Sequence, residues 1–432
     1  MSLPVLIIGA GAAGLMAARE LSAAGIPVTI LEASTRPGGR IHHLQEAGFS
    51  RPVEAGAEFV HGKLPVTGQL LKEARIARLL VKGDMVRVHK GDWQPPFDDH
   101  WDFLMEKMSA LTQDVTVAEF LHTSLPGEKY ARLRDSVQGF AEGYDLADIQ
   151  KASTLALYEE WQKEGQGDYR ISGGYGRMID FLLSECRKNG CRIHFSSPVK
   201  TIDWEKDRVK LTDAKGSSFT GCKLITTVSL GILQLDPLAP ELAAMRFNPV
   251  PAAHLLAANQ LGYGSVIKIL LEFKRPFWNP QGDWNKTGKK ISFILSDEAV
   301  PTWWTPPSDK QALLTGWLTG SKMLALQGMD KKAQIDCCLS SLAAIFSMDP
   351  AILKNELLQA MILDWATEPF VRGGYSFDTL NSVQARKVLQ EPVMKTLYFA
   401  GEALYEGPSP GTVEAALTSG KEVAGSILAA GI

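Results

Sequence analysis

The feature that most constrains this chain is a glycine-spaced turn, Gly9-Ala10-Gly11-Ala12-Ala13-Gly14, set between an apolar run and a helical pattern. Pro4–Ile8 reads as a short buried strand and Ala12–Ala24 as a helix rich in Ala, Leu and Met. Val28–Leu31 reads as a second buried strand, closing with Glu32. Together they predict a βαβ unit whose turn takes a dinucleotide. Gly9 permits the tight turn, Gly11 leaves room for a pyrophosphate, and Gly14 lets helix and strand approach. The helix N-terminus beginning at Ala12 and Ala13 attracts phosphate charge, and Glu32 is placed to accept hydrogen bonds from ribose hydroxyls. Glycines alone often do no more than turn a chain. The strand before, the helix after and the acid at the second strand end carry the reading. The motif does not separate NAD from FAD.

Other properties bound the answer. A chain of 432 residues is too long for one ordinary core, so two intimately packed domains are expected. Its formal charge of -3 has no basic stripe, which argues against a nucleic-acid partner. Five cysteines without CxxC spacing suggest free thiols in a reducing compartment, and the histidines form no ligand cluster, so no metal is expected. The N-terminus lacks the basic start of a signal peptide. No apolar run approaches the roughly 18 residues of a membrane span. These features give a cytoplasmic expectation, with no membrane and no obligate protein partner.

The segments after Glu32 narrow the cofactor. Ala33 follows it directly, then Pro37-Gly38-Gly39-Arg40, where Arg40 is within reach of the same pyrophosphate. Taken alone, that segment is equally a Pro-Gly turn with a solvated arginine. Next comes Glu54-Ala55-Gly56-Ala57-Glu58-Phe59-Val60-His61-Gly62, with small residues against which a flat ring can lie. At this point the sequence resembles the flavin-dependent amine oxidase family, which includes monoamine and polyamine oxidases and histone lysine demethylases. The GAxxxxHG ending looks most like the polyamine oxidase branch.

The resemblance recurs along the chain. Tyr169–Leu182 looks like the family's GG-turn and returning helix, Arg192–Leu211 alternates as strands, and Leu224–Leu233 is a further strand and turn. Val199 falls where family members hold the adenine by backbone bonds. Leu397–Ala400 leads into Gly401-Glu402, and Ser409-Pro410-Gly411-Thr412-Val413 opens a helix that continues through Ala416. From residue preferences, Ser409 is the N-cap and Pro410 the first helical position. A helix N-terminus there would favour negative charge on a reduced flavin. The fold implied is α/β, a Rossmann-like FAD-binding domain interleaved with an α+β substrate-binding domain of mixed sheet and helices. Residues 1–75, 168–240 and 388–432 would form the first, and 76–167 and 241–387 the second. Residues 76–167 are expected to be mainly helical, with a loop around Gly91–His100.

The same resemblance suggests where chemistry occurs. Lys268 sits on a strand pattern facing the same way as Val266 and Leu270, an awkward place for an ammonium and otherwise read as a lysine snorkelling to a strand edge. The family holds a lysine here that contacts flavin N5 through water. Trp365 and Tyr375 match the family's substrate-cage segment, and His61 a histidine near the polyamine oxidase active site. Departures are equally informative. Gly374 stands where monoamine oxidases have the cysteine that bonds to flavin, implying non-covalent FAD. Thr412 stands at their second cage tyrosine, and Ser34 replaces a common arginine.

The implied reaction takes a hydride from the carbon beside an amine nitrogen. Imine hydrolysis follows, and oxygen re-oxidises the flavin to give hydrogen peroxide. The substrate would be a small-molecule amine, and which amine is not legible. The alternatives are a desaturase or amino-acid oxidase on the same fold (with Arg372 a candidate carboxylate clamp), a non-catalytic FAD-binding scaffold, and an NAD-dependent dehydrogenase.

Overall fold

In the computed structural model, residues 3–95, 100–162, 167–279, 287–308 and 310–431 are described. Strand Val5–Ile8 is apolar at every position and buried throughout, the pattern of a parallel strand covered on both faces. It lies at the centre of a five-stranded parallel sheet, ordered Arg192–His194, Val28–Leu31, Val5–Ile8, Lys223–Thr226, Leu397–Phe399. Helix Ala12–Ala23 follows the glycine turn and packs against helices Val413–Ala430 and Gly176–Lys188. The first of these contacts is close because of Gly420, where a Cβ would stand 2.2 Å from the Ala13 carbonyl oxygen.

The C-terminal helix begins later than its residue preferences suggest. Thr412, not Ser409, is the N-cap: its hydroxyl accepts from the Ala415 amide at 3.2 Å. The same hydroxyl donates to the Ser409 carbonyl at 2.7 Å. Gly411, at φ +68°, sits in the left-handed region and ends the preceding turn, which keeps Ser409 and Pro410 outside the helix.

A second, seven-stranded mixed sheet runs Leu357–Asp364, Val266–Phe273, Leu313–Thr319, Thr302–Trp304, Ile291–Ser296, Asp84–His89, Asp92–Gln94. Alternation along Val266–Phe273 sorts its side chains. Ile267, Ile269, Leu271 and Phe273 join one core with Cys338, Leu339, Leu342 and Phe346. Val266 clusters instead with Trp365 and Val371, which puts Lys268 on the opposite side from that core. The strand has a neighbour on each side, so Lys268 is not at an edge.

Residues 76–167 contain more strand than expected. Arg78–Leu80 joins Asp168–Ile171 and Phe59–His61 in a three-stranded sheet, and a hairpin through Lys90-Gly91 occupies much of the expected loop. Residues 96–99 of that loop lie outside the described residues. Helices Trp101–Ser109, Val117–Ser124, Ala131–Gly143 and Thr154–Trp161 follow, gathered on a core around Phe120 and Trp161.

Candidate active site

One cavity of about 890 Å³ runs from the glycine turn to the helix Ala131–Gly143. Its inner end is backbone and small side chains. Gly9, Gly11, Ala12, Ala13, Glu32, Ala33, Gly38, Gly39 and Arg40 line it, with Gly56, Ala57, Glu58, Phe59, Gly401, Glu402, Gly411, Thr412, Val413 and Ala416. Gly14 and Val199 stand back from the wall. Gly14 is needed for packing, since a Cβ there would lie 2.0 Å from the Gly9 carbonyl oxygen. Val199 is buried in strand Val199–Glu205, paired with Asp213.

The turn is stiffened by its own side chains. Glu32 Oε2 accepts from the Ala10 amide at 2.6 Å, and Oε1 accepts from the Ser34 amide and hydroxyl, each at 2.9 Å. Arg36, which the sequence did not single out, donates to the carbonyls of Pro37, Gly39 and Ile41. Arg40 lines the cavity and is also engaged by protein groups. Its Nη1 donates to the Gly374 carbonyl at 2.9 Å and pairs with Glu402 Oε2 at 2.6 Å. Buried Glu402 accepts the Ser376 amide at 2.9 Å as well, so this ion pair ties the turn to the segment that carries Tyr375.

Deeper in, Lys268 solves the problem its sequence posed. Its Nζ donates to the Gly56 carbonyl and to Glu58 Oε2, both at 2.9 Å, and the side chain is 1% exposed. Glu58 Oε1 accepts from Arg170 Nε at 2.9 Å, and Oε2 also takes the Trp304 indole at 3.0 Å. Burial opposes the charge on Glu58, but Lys268, Arg170 and these hydrogen bonds outweigh it and hold its pKa below the ordinary carboxylate value. Glu58, first read as part of a surface for a flat ring, is thus the anion between two buried cations. Arg170 and Trp304 were not assigned roles from sequence. Arg170 falls in the Tyr169–Leu182 segment read as a turn and returning helix, and nothing local to Trp304 marks it as a partner of Glu58.

The aromatic wall is equally braced. Trp365 is 3% exposed and its indole donates to the Ala55 carbonyl at 3.1 Å. Tyr375 donates its hydroxyl to the Tyr144 carbonyl, and Trp317 donates to the Gly143 carbonyl at 2.9 Å, so two wall aromatics hold the end of helix Ala131–Gly143. Burial, then Asp145, Glu160 and Glu402, push the Tyr375 phenol far above its ordinary range, so it stays a donor. Tyr144 also lines the cavity, stacked on Phe140 at 5.2 Å. It was not predicted. His61 reaches the wall too, its Nδ1 2.7 Å from Asp168 Oδ1. Arg372 does not line the cavity and lies 3.7 Å from Glu241, which weakens the amino-acid oxidase alternative.

The family model described as flavin containing amine oxidoreductase matches residues 12–428. Lysine-specific histone demethylase 1B of Mus musculus is 28% identical over 98% of this chain and 53% of its own length, so this chain spans about half of that relative. Polyamine oxidase 4 of Oryza sativa subsp. japonica is 24% identical over 96% of this chain and 86% of its length. Among solved structures, putrescine oxidase bound to putrescine superposes with a TM-score of 0.80 at 20% identity, covering 99% of both chains. Cyclohexylamine oxidase from Brevibacterium oxydans gives 0.79 at 20% identity, covering 100% of this chain and 99% of its own. These two structures establish the likeness of fold.

Proposed function

This chain belongs to the flavin containing amine oxidoreductases, with FAD held non-covalently, and we propose that it oxidises a small-molecule amine at the carbon beside nitrogen. One observation supports this most. The glycine turn, the Lys268–Glu58 pair and the Trp365 and Tyr375 walls, scattered over the sequence, line one cavity. The cavity fits the cofactor. Gly11 has open space where a Cβ would stand, with its nearest neighbour 3.9 Å away, and Gly374 offers no side chain for a covalent link. Gly9, Gly11, Ala12, Ala13, Glu32, Ala33, Gly38, Gly39 and Arg40 would hold its nucleotide end. Gly56, Ala57, Trp365, Gly401, Gly411, Thr412, Val413 and Ala416 would hold the ring end.

When bound, FAD supplies a hydride acceptor and a route for two electrons to oxygen, leaving hydrogen peroxide. The residues do the rest. An alkylamine has a pKa near ~10 and is mostly charged at neutral pH, while hydride leaves only when the nitrogen lone pair is free. Lowering that pKa by ~2 units takes about 2.7 kcal/mol. Walls of Trp365, Tyr375, Trp304 and Tyr144 supply it by disfavouring the charged form. Trp365 and Tyr375 also orient the substrate, because hydrogen bonds to fixed carbonyls lock both rings. Lys268, anchored by Glu58, is suited to hold a water at the ring edge. Released imine is hydrolysed to an aldehyde.

The outer wall favours an amine with a second positive charge. Asp135, Glu142, Glu160 and Asp297 line the cavity there, against the cations Arg87 and Lys322. The test is a peroxide-coupled panel of monoamines, diamines, polyamines, amino acids and a methyl-lysine peptide. Diamines and polyamines are expected to show KM values up to about fivefold below monoamines of equal length, on the order of 1 kcal/mol for one extra partly screened ion pair. Peptide turnover alone would favour the second reading, a lysine side chain as substrate, which the demethylase relatives suggest. Turnover of none of these amines, with flavin bound, would remove the proposal.

A further inference from the structure

An amine that arrives as an ammonium must lose a proton before its lone pair is available, and few groups beside the Trp365 and Tyr375 walls can take it, Asp135 and Glu142 standing on the outer wall. The Tyr375 phenol keeps its own proton. Lys268 is bonded to Gly56 and Glu58, and Glu58 is committed to Lys268 and Arg170. Glu402 is paired with Arg40. His42 lines the cavity against Trp365, but burial, Arg36 and His43 push its pKa down to about 4, too weak a base to retain a proton near neutrality.

His61 is placed differently. It and Asp168 are directly opposite in the antiparallel ladder between Phe59–His61 and Asp168–Ile171. Their side chains meet at 2.7 Å between Nδ1 and Oδ1, and both line the cavity. The ring lies edge-on to Tyr144 at 5.8 Å and against Phe59 at 5.9 Å, so its plane is held on two sides. At 37% and 35% side-chain exposure the pair is wet enough to exchange protons with solvent. The charged and titratable groups around it come from several elements. Asp168 is on the neighbouring strand, Tyr144 at the end of helix Ala131–Gly143, and Lys63 on the same segment. Glu160 and Tyr375 lie on the same wall, with Arg170 and Glu58 behind the Phe59 ring.

Resting on the amine-oxidising reading, we propose that Asp168 is a positioning residue. It fixes the His61 tautomer with Nδ1–H donated to its carboxylate, leaving Nε2 to accept the proton of the substrate ammonium. One N–H bond of the ammonium breaks and one Nε2–H bond forms. The positive charge moves onto an imidazole beside a carboxylate, and the proton then leaves to water. The strand ladder thus serves two ends of the cavity, Arg170 steadying Glu58 and Asp168 steadying His61.

The test uses the flavin-loaded enzyme with two amines of different basicity. For each, kcat is followed against pH in the wild type and in Asp168→Asn, Asp168→Glu and His61→Gln. A limb from His61 has the same position for both amines, whereas a limb from the substrate moves with its basicity. Asp168→Asn is expected to lower kcat about tenfold, Asp168→Glu to restore most of it, and His61→Gln to abolish the shared limb with kcat about 100-fold lower. Nitrogen-15 NMR of the ring, with the His61 signals assigned by their loss in His61→Gln, is expected to show the Nδ1–H tautomer in the wild type and a loss of that preference in Asp168→Asn, without any turnover. An unchanged His61 tautomer in Asp168→Asn, or a shared limb that survives in His61→Gln, would overturn the proposal. Absence of amine turnover would instead sink the parent reading, while the NMR tautomer measurement still decides the pairing.

Discussion

Lys268→Met is expected to lower kcat about 100-fold and to destabilise the fold by about 3 kcal/mol, with flavin still bound. Both effects follow from one geometry. Lys268 is 1% exposed and gives its charge to Glu58 at 2.9 Å. Methionine has similar volume, so packing survives, but Glu58 is left buried with Arg170 as its remaining counter-ion. Breaking a buried pair costs about 3–5 kcal/mol, and the retained Arg170 places this case at the low end. The catalytic loss comes from the missing ammonium, which no longer holds the water that would act as an oriented donor at the ring edge. Stopped-flow mixing of the reduced protein with oxygen would read it, beside urea unfolding for the stability.

Two further measurements separate these effects. Adding Glu58→Gln to Lys268→Met removes the stranded anion, so stability is expected to recover in part while turnover does not. The stability difference between wild type and Lys268→Met also depends on pH. Glu58 has a depressed folded pKa in the wild type, so its contribution is present above the ordinary glutamate value of 4.5 and is lost as pH falls through the folded value. In the variant that depression is smaller, because the Lys268 contributions are lost while Arg170 and the Trp304 indole remain. The difference is therefore widest near neutrality and narrows in acid. Unchanged re-oxidation in the single variant would remove Lys268 from its assigned role.

The second large effect is a contrast between two glycines of the same turn. Gly14→Ala is expected to cost about 3 kcal/mol or more and to yield protein without flavin, because its Cβ would lie 2.0 Å from the Gly9 carbonyl oxygen and 2.8 Å from Thr227 Oγ1. Neither neighbour can yield easily, since that hydroxyl is bonded to the Ile8 carbonyl at 2.8 Å. Helix and strand would have to separate. Gly11→Ala meets nothing nearer than 3.9 Å and has an ordinary backbone at φ −76°, so apo stability is expected to stay within about 0.5 kcal/mol. Its methyl group instead occupies space on the cavity wall, and flavin affinity is expected to fall about tenfold or more. Fluorescence titration of apoprotein with FAD measures this. Wild-type affinity in Gly11→Ala would mean that the phosphates lie elsewhere.

What the sequence determined by itself was local in origin. A glycine turn between a buried strand and a helix can be read because strand, turn and helix are contiguous, and each glycine has a steric reason within a few residues. The lining residues near the turn and the wall residues Lys268, Trp365 and Tyr375 were legible through the family resemblance. The start of the last helix was misjudged because Ser409 and Thr412 are both good caps. Only the backbone at Gly411 decides between them.

The tertiary structure alone decided which charges meet. Glu58 finds Lys268 across 210 positions, Arg40 finds Glu402 across 362, and His61 finds Asp168 across 107. No local propensity encodes such pairs. They arise because burying a strand such as Val266–Phe273 brings its one ammonium to a wall where a carboxylate must be waiting, at a cost in desolvation that only that partner can offset.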